Sequence, residues 1–253
     1  MKALLLVALL LSSVVSPSSS SAQGRHAIFQ SGEELVYKVK YGFVKLGTLV
    51  IKTGESAGTN KINARLQFWT AEVPFLDVHN QVIDVIDTHA LCVLRFEEHS
   101  RDGDKKTNQV FDYNPGTETM TYSNDAIKDE IIPNVKPFND ALTLVFNMRA
   151  WAGSGQSYGF PMRSHEGERT VSCRFTHQIS NESCPAVEDK ELKTRVIEGQ
   201  ANMGDHAPLG ANGKFTVYVT DDAAAIPVRI EMKIAVGSIT LILDKVKRPG
   251  WQP

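Results

Sequence analysis

Alternation of apolar and polar residues is the feature that most restricts the fold of this chain. In the C-terminal third, Val228, Ile230 and Met232 alternate with charged residues, and a period of two also runs through 215–220 and 239–243. Strict alternation is typical of a β-strand that buries one face and exposes the other to water. We therefore expect antiparallel sheet with one face on a core.

The alternation extends toward the N-terminus, where turn-forming residues divide it. Residues 35–41 alternate, Gly42 interrupts them, and residues 46–51 continue the strand. Asp102-Gly103 is a strong tight-hairpin signal, and Gly237-Ser238 suits a two-residue turn with glycine first. The turns predict several short strands paired with their neighbours along the chain.

One segment follows a helical period instead. Asn139 or Asp140 is suited to cap its first turn, and Trp151 is its last residue before Gly153. A helix that is apolar nearly all round is usually buried. The positions at helical spacing on one face are Leu142, Val145, Phe146 and Arg149.

These patterns together predict a mainly β fold in which one curved antiparallel sheet, like a half-barrel, packs on a central α-helix. No internal repeat or change of composition divides the chain after its first residues. Residues 23–253 are therefore expected to form a single β-rich domain, a length that all-β domains often reach.

The first residues are expected to be a cleaved signal peptide. Lys2 precedes an apolar run over 3–11 that is too short to span a bilayer, and small residues lead up to Ala22. Cleavage after Ala22 removes residues 1–22 and predicts a periplasmic or secreted protein. No later apolar run approaches 18 residues, so no transmembrane segment is expected in the mature chain.

Net charge restricts the class of partner, and the cysteines restrict the covalent cross-links. The chain has 27 basic and 29 acidic residues, a net charge of −2 that argues against a nucleic-acid binder. Export permits disulfides, and turn formers between Cys173 and Cys184 make a cross-linked hairpin plausible, with three free thiols as the alternative. Cys92, in an apolar run, is expected to be a small buried residue.

Three segments resemble a known family. Residues 32–41 match G-E-x-L-x-Y-x-V-x-Y, and residues 140–149 resemble D-x-L-S-x-x-Y-x-x-R, with Phe146 at the tyrosine position. Residues 215–241 resemble its last motif, an acidic pair followed by P-V-x-I and a glycine. The order and spacing are similar to those of bacterial exported proteins of domain of unknown function 3108. That resemblance implies an envelope location, a β-rich fold related to the half-barrels of bacterial lipoprotein carriers, and no established catalytic residues.

The sequence contains none of the common catalytic or metal-binding motifs. His79, His89 and His99 are ten residues apart, but without a short metal-ligand motif they are expected to face solvent. Neither a metal nor another cofactor is predicted, and we do not expect an enzyme. The residues expected to serve structural turns are Asp221, Asp222, Pro227 and Gly237.

Arg149 is the most informative single residue, because a buried guanidinium must be paired. One interpretation is an internal salt bridge to a carboxylate of the sheet. The other is that Arg149 orients an anionic or lipid head group at the mouth of a pocket. The apolar wall of that pocket would be Phe138, Leu142, Val145 and Phe146.

Three functions are consistent with these features. The first is non-catalytic binding of a lipid or other apolar or amphiphilic ligand in an internal cavity of an envelope protein. The second is an interaction protein with a filled core, whose partners are other envelope proteins. The third is a hydrolase of envelope polymers that uses carboxylates such as Asp221 and Asp222, which requires a suitably spaced pair in a cleft.

Overall fold

Antiparallel pairing dominates the structure, a computed structural model that describes residues 27–70, 76–165, 167–201, 213–234 and 237–253. The predicted signal peptide, residues 1–22, lies outside the described residues. These contain fourteen strands, one complete α-helix and one turn of 3₁₀-helix. In chain order they are β1 (Glu34–Tyr41), β2 (Val44–Gly58), β3 (Lys61–Thr70), β4 (Val78–Asp87), β5 (Cys92–Asp102), β6 (Lys105–Asn114), β7 (Thr119–Asn124), β8 (Glu130–Ile132), α1 (Ala141–Trp151), β9 (Ser157–Ser164), β10 (Gly167–Cys184), the 3₁₀ turn Pro185–Val187, β11 (Lys190–Ala201), β12 (Gly213–Thr220), β13 (Pro227–Lys233) and β14 (Ser238–Lys247).

All fourteen strands belong to one sheet. Its order is β8-β7-β6-β5-β4-β3-β2-β1-β14-β13-β12-β11-β10-β9, so β1 pairs with both β2 and β14. Because consecutive strands run in opposite directions, alternate connections lie at opposite ends of the sheet. We call the end with the connections after β2, β4 and β12 the helix end, and the end with those after β1, β5 and β13 the far end.

The sheet curls until its two edges approach each other. Tyr122 of β7 stacks on His165, which follows β9, with 4.1 Å between ring centroids. The Nε2 atom of His165 lies 2.9 Å from a carboxylate oxygen of Glu130 in β8. Asn139 forms an isolated parallel bridge to Met162 of β9. Side chains and this single bridge, rather than paired edge strands, therefore join the two edges.

Helix α1 lies on the concave face, where the sequence predicts it. Asp140 is the N-cap: its carboxylate accepts a hydrogen bond from the backbone N–H of Thr143, and the Thr143 hydroxyl accepts one from the N–H of Asp140. Every residue from 142 to 149 is buried. The expectation of one curved antiparallel sheet packed on a central helix is confirmed.

Two turn predictions are wrong in detail. Gly42 does not interrupt a continuous strand: it lies in the two-residue turn between β1 and β2, which pair as a hairpin. Ser238 is not part of a two-residue turn, because it pairs with Lys233 as the first residue of β14. The connection consequently covers residues 234–237, and Gly237 supplies its positive φ of +80°.

The predicted hairpin between Cys173 and Cys184 is also wrong. Both residues lie on β10, which is extended between them apart from a bulge after Phe175. Eleven residues of strand span on the order of 30 Å, whereas a disulfide requires Cα atoms within about 7 Å. Both thiols are free and buried, as is Cys92, and burial raises the pKa of Cys173 to about 12.

Candidate functional site

Arg149 is committed to an internal ion pair. Its guanidinium donates two hydrogen bonds to the carboxylate of Glu33, at 2.6 and 2.9 Å, and its Nε donates to the carbonyl of Ala224 at 3.0 Å. Both charged side chains are fully buried, and Arg248 donates a further bond to Glu33. Glu33 directly precedes β1, so Arg149 fastens α1 to the sheet at the helix end.

The apolar residues expected to line a pocket do not form one wall. Leu142, Val145 and Phe146 belong to the main core, where Phe146 stacks on Phe29 with 4.9 Å between ring centroids. Phe138 packs in a second cluster with residues such as Tyr113. All four side chains are buried. The helix end of the concave face is thus filled by protein atoms around these residues.

Two clefts in the described part of the chain have linings that contain no residue of α1. The first, of about 210 Å³, is lined by Gly153, Thr176, His177, Ile179, Arg195 and Asp221. The second has a volume of about 440 Å³ and lies near the β4–β5 and β6–β7 connections. Its lining consists of Lys61, Val85, Asp87, Leu94, Arg95, Asp112, Tyr113, Asn114 and Pro115.

The acidic pair after β12 is divided between two structural roles. The Asp222 carboxylate accepts hydrogen bonds from the backbone N–H groups of Ala224 and Ala225, at 2.8 and 2.9 Å. Asp221 instead forms ion pairs with Lys193 and Arg195, whose hydrogen bonds lower its pKa. A carboxyl group held ionised in this way is unsuited to act as a general acid.

The other residues that the sequence singled out either support the fold or do not come together in one site. Pro227 is the first residue of β13, and its carbonyl accepts a hydrogen bond of 3.0 Å from the hydroxyl of Tyr37. His99 bonds to Asn108 and Glu97. Within the part of the chain that the structure describes, no three His, Cys, Asp or Glu side chains converge to hold a metal ion.

The concave face changes from apolar to polar across the sheet, beyond the region that α1 covers. Strand register places one row of side chains from β2 to β6 and a second row, nearer the far end, from β2 to β5. We call these two rows the far-end surface. The first row is Ile51, Leu66, Val82, Glu98 and Gln109, and the second is Leu49, Phe68, Asn80 and Ser100.

Glu98 is the centre of the polar half of the far-end surface. It accepts hydrogen bonds from the side-chain amides of Asn80 at 2.6 Å and Gln109 at 2.5 Å. No described cation forms a salt bridge with Glu98, and Oδ1 of Asn80 is buried without a hydrogen-bond donor. In the apolar half, Leu49 and Leu66 are only partly buried. Acceptor atoms and accessible apolar surface therefore share one concave face.

The far-end surface was not predicted from the sequence, although the alternation in β4 contains a signal for it. The buried residues Val82 and Ile86 show which face of β4 is turned to the core. Asn80 and Asp84 lie on that same face, because they are two residues away from a buried position. A polar residue at an inward position of an otherwise apolar face indicates a hydrogen-bonded cluster or a site. No such signal identifies Glu98, because its neighbour Glu97 has the same charge and faces outward.

The fold and the site together define a barrel-like antiparallel sheet that is wrapped on one buried helix and not closed by strand pairing. A similar fold is found in the crystal structure of a β-barrel-like protein of domain of unknown function DUF1849 from Brucella abortus. The similarity has a TM-score of 0.57 and 14% identity, and covers 87% of this chain and 99% of that one. The family model described as "Protein of unknown function (DUF3108)" matches residues 36–244, and the chain belongs to that family.

Two further solved structures are more distant. A protein with a YmcC-like fold from Bacteroides fragilis matches with a TM-score of 0.40 and 12% identity, covering 87% of this chain and 97% of that one. A hypothetical protein from Chlamydia trachomatis matches with a TM-score of 0.37 and 9% identity, covering 92% and 95%. The comparison with curated proteins finds no match. The described residues contain no helix of the length and apolarity needed to cross a membrane.

Proposed function

We propose that this protein is an exported, non-catalytic protein of the cell envelope that binds an amphiphilic molecule on the far-end surface. The observation that carries the proposal is the pairing, on one concave face, of accessible leucines with a carboxylate that has no cationic partner among the described residues. Apolar surface with a few convergent polar groups is the usual composition of a ligand site.

The polar half indicates the kind of head group. Carboxylate and amide oxygens accept hydrogen bonds, and the orphan Oδ1 of Asn80 needs a donor. A buried acceptor without a partner costs free energy, which a donating ligand recovers. A head group with an ammonium or hydroxyl donor fits Glu98 and Asn80, while an alkyl chain fits against Leu49 and Leu66.

Retention of lipid by the purified protein tests this proposal. We expect native mass spectrometry to detect a bound amphiphile, and we expect Leu49→Gln and Glu98→Gln each to reduce the bound fraction several-fold. Matched controls lie on the convex face: Ile242→Gln in β14 and Glu97→Gln, which is adjacent to Glu98. These controls should retain the ligand.

Bare protein in every preparation, including one incubated with a total lipid extract, would overturn the proposal. In that case the interaction protein with a filled core becomes the better account. Equal loss in the inner and outer variants would also contradict a site on the concave face, because it would reflect general destabilisation.

Export is a separate part of the proposal and has its own test. A short basic segment, an apolar run and small residues before Ala22 support cleavage at that position. The mature protein is then expected to begin at Gln23 and to be recovered from the envelope fraction. N-terminal sequencing that finds uncleaved protein in the cytoplasm would contradict it.

A further inference from the structure

The hairpin between β1 and β2 presents an aromatic side chain to solvent. Gly42, with φ of +56°, occupies the first central position of the two-residue turn, and Phe43 occupies the second. Phe43 is 95% exposed. Tyr41 and Val44 pair directly below the turn and are also exposed. An isolated exposed apolar residue is ordinary, but three together at a hairpin tip form an apolar projection.

Two lysines flank this projection. Lys40 and Lys45 are directly opposite each other on the paired strands, and neither forms a salt bridge with any described residue. Like charges in that position destabilise a hairpin. Lys38, on the same strand, shows the contrasting arrangement, because its Nζ lies 2.5 Å from the carboxylate of Asp244. An anionic partner outside the described residues would relieve the repulsion between Lys40 and Lys45.

We propose that the tip of the β1–β2 hairpin docks this protein on an anionic lipid bilayer. An aromatic residue with flanking lysines suits the membrane interface: the ring enters the head-group region while the ammonium groups contact lipid phosphates. The charge of the tip complements the lipid, whereas the chain as a whole is slightly acidic. The attraction is therefore local to the tip, and it orients the far end of the sheet toward the bilayer.

Flotation with vesicles tests the proposal on the full-length mature protein. Vesicles of phosphatidylethanolamine and phosphatidylglycerol in equal parts should carry the protein upward, and vesicles of phosphatidylcholine should not. Phe43→Ser should weaken the apparent affinity about tenfold, since an apolar side chain leaves the interface. Lys40→Glu with Lys45→Glu should abolish flotation at low salt. Ile131→Ser, at a different exposed apolar site, is the matched control.

A second readout separates docking from ligand retention. Phe43→Trp should show a blue shift of tryptophan emission on addition of the anionic vesicles, and the shift should be lost in high salt. Unchanged flotation of Phe43→Ser, or no blue shift in Phe43→Trp, would overturn the proposal. Loss of flotation by Phe43→Ser with its bound amphiphile retained would show that docking and the far-end surface are independent.

Discussion

At the scale of single residues, Asp84 is the most unusual group in the interior. It faces the concave side of β4 beside Asp140, the N-cap of α1, and is fully buried. Both of its carboxylate oxygens lack a hydrogen-bond donor, as does Oδ2 of Asp140. Burial raises the pKa of Asp84 well above its usual range, and the adjacent Asp140 raises it further. A proton on Asp84 can donate to Asp140 and fasten the helix to the sheet.

This arrangement predicts a pH-dependent stability that Asp84→Asn removes. A raised pKa in the folded state means that the stabilisation is complete below the unfolded pKa, about 3.9, and is lost as pH rises through the folded value. Asn carries amide protons in place of the carboxyl proton. We expect Asp84→Asn to flatten this loss and to raise the free energy of unfolding at pH 8 by about 1–3 kcal/mol.

Urea unfolding at pH 5 and pH 8 measures the effect. Asp112→Asn, which removes one partner of the exposed Arg95–Asp112 pair, is the control and should change stability by less than about 1 kcal/mol. A loss of stability in Asp84→Asn at both pH values would contradict this account of Asp84.

Arg149 gives the second prediction at this scale. Arg149→Met leaves the buried carboxylate of Glu33 with Arg248 as its remaining cation, and we expect a loss of about 3–5 kcal/mol in the free energy of unfolding. Adding Glu33→Gln should not recover that loss, because Arg248, whose side chain is almost fully buried, then loses its carboxylate partner and donates only to carbonyl and amide oxygens such as the carbonyl of Ala27. Ligand retention, measured by native mass spectrometry, should be unchanged in the double variant. Loss of ligand without loss of stability would restore Arg149 as a ligand-binding residue.

At the scale of elements, the alternation of apolar residues and the capping side chains correctly predicted the helix and one hairpin, because both depend on local sequence. The helix begins after Asp140 and ends at Trp151 as expected, because side-chain capping and the spacing of apolar residues are local signals. The β5–β6 hairpin at Gly103, with φ of +57°, was predicted for the same reason. The hairpin between Cys173 and Cys184 was wrongly predicted because the polar residues between them suggested a turn, whereas Asn181 and Ser183 are exposed positions of one long strand.

Long-range pairing explains the rest of what was missed. The partner of Arg149 is Glu33, 116 residues away, and nothing in the sequence distinguishes it from other glutamates. The far-end surface arises only when β2 to β6 are aligned in register, which sets Leu66 and Glu98 in one row. Strand order and register are properties of the whole sheet, so local patterns predicted the strands of this site and not the site.

Close packing between β11 and β12 gives the prediction for this scale. Gly199 pairs with Phe215, and a Cβ atom added at Gly199 would lie about 2.0 Å from the Phe215 ring. Gly199→Ala should therefore destabilise the protein by about 1–3 kcal/mol, since the ring must leave its rotamer. Thermal unfolding compares it with Gly116→Ala in an exposed turn, where the added atom meets only Asn114 Oδ1 at 3.3 Å. Equal melting temperatures for the two variants would contradict this packing.

At the scale of the whole molecule, the two halves of the concave face differ in how they are filled. The helix end is filled by α1 and fastened by the Glu33–Arg149 pair, so that half supplies stability. The far half has accessible apolar and acceptor groups, and the β1–β2 hairpin lies at the same end. The proposed amphiphile site and the proposed docking tip therefore lie at the same end of the sheet.

The most direct test of this account is to locate the bound amphiphile. The protein is incubated with a fatty amine that carries a photoactivatable diazirine near the end of its chain, irradiated, digested and sequenced by mass spectrometry. We predict adducts on the concave-face residues Leu49, Leu66 and Phe68, and their loss in Leu49→Gln. Adducts confined to convex-face residues such as Ile242, or none at all, would contradict the proposal that the far-end surface is the binding site.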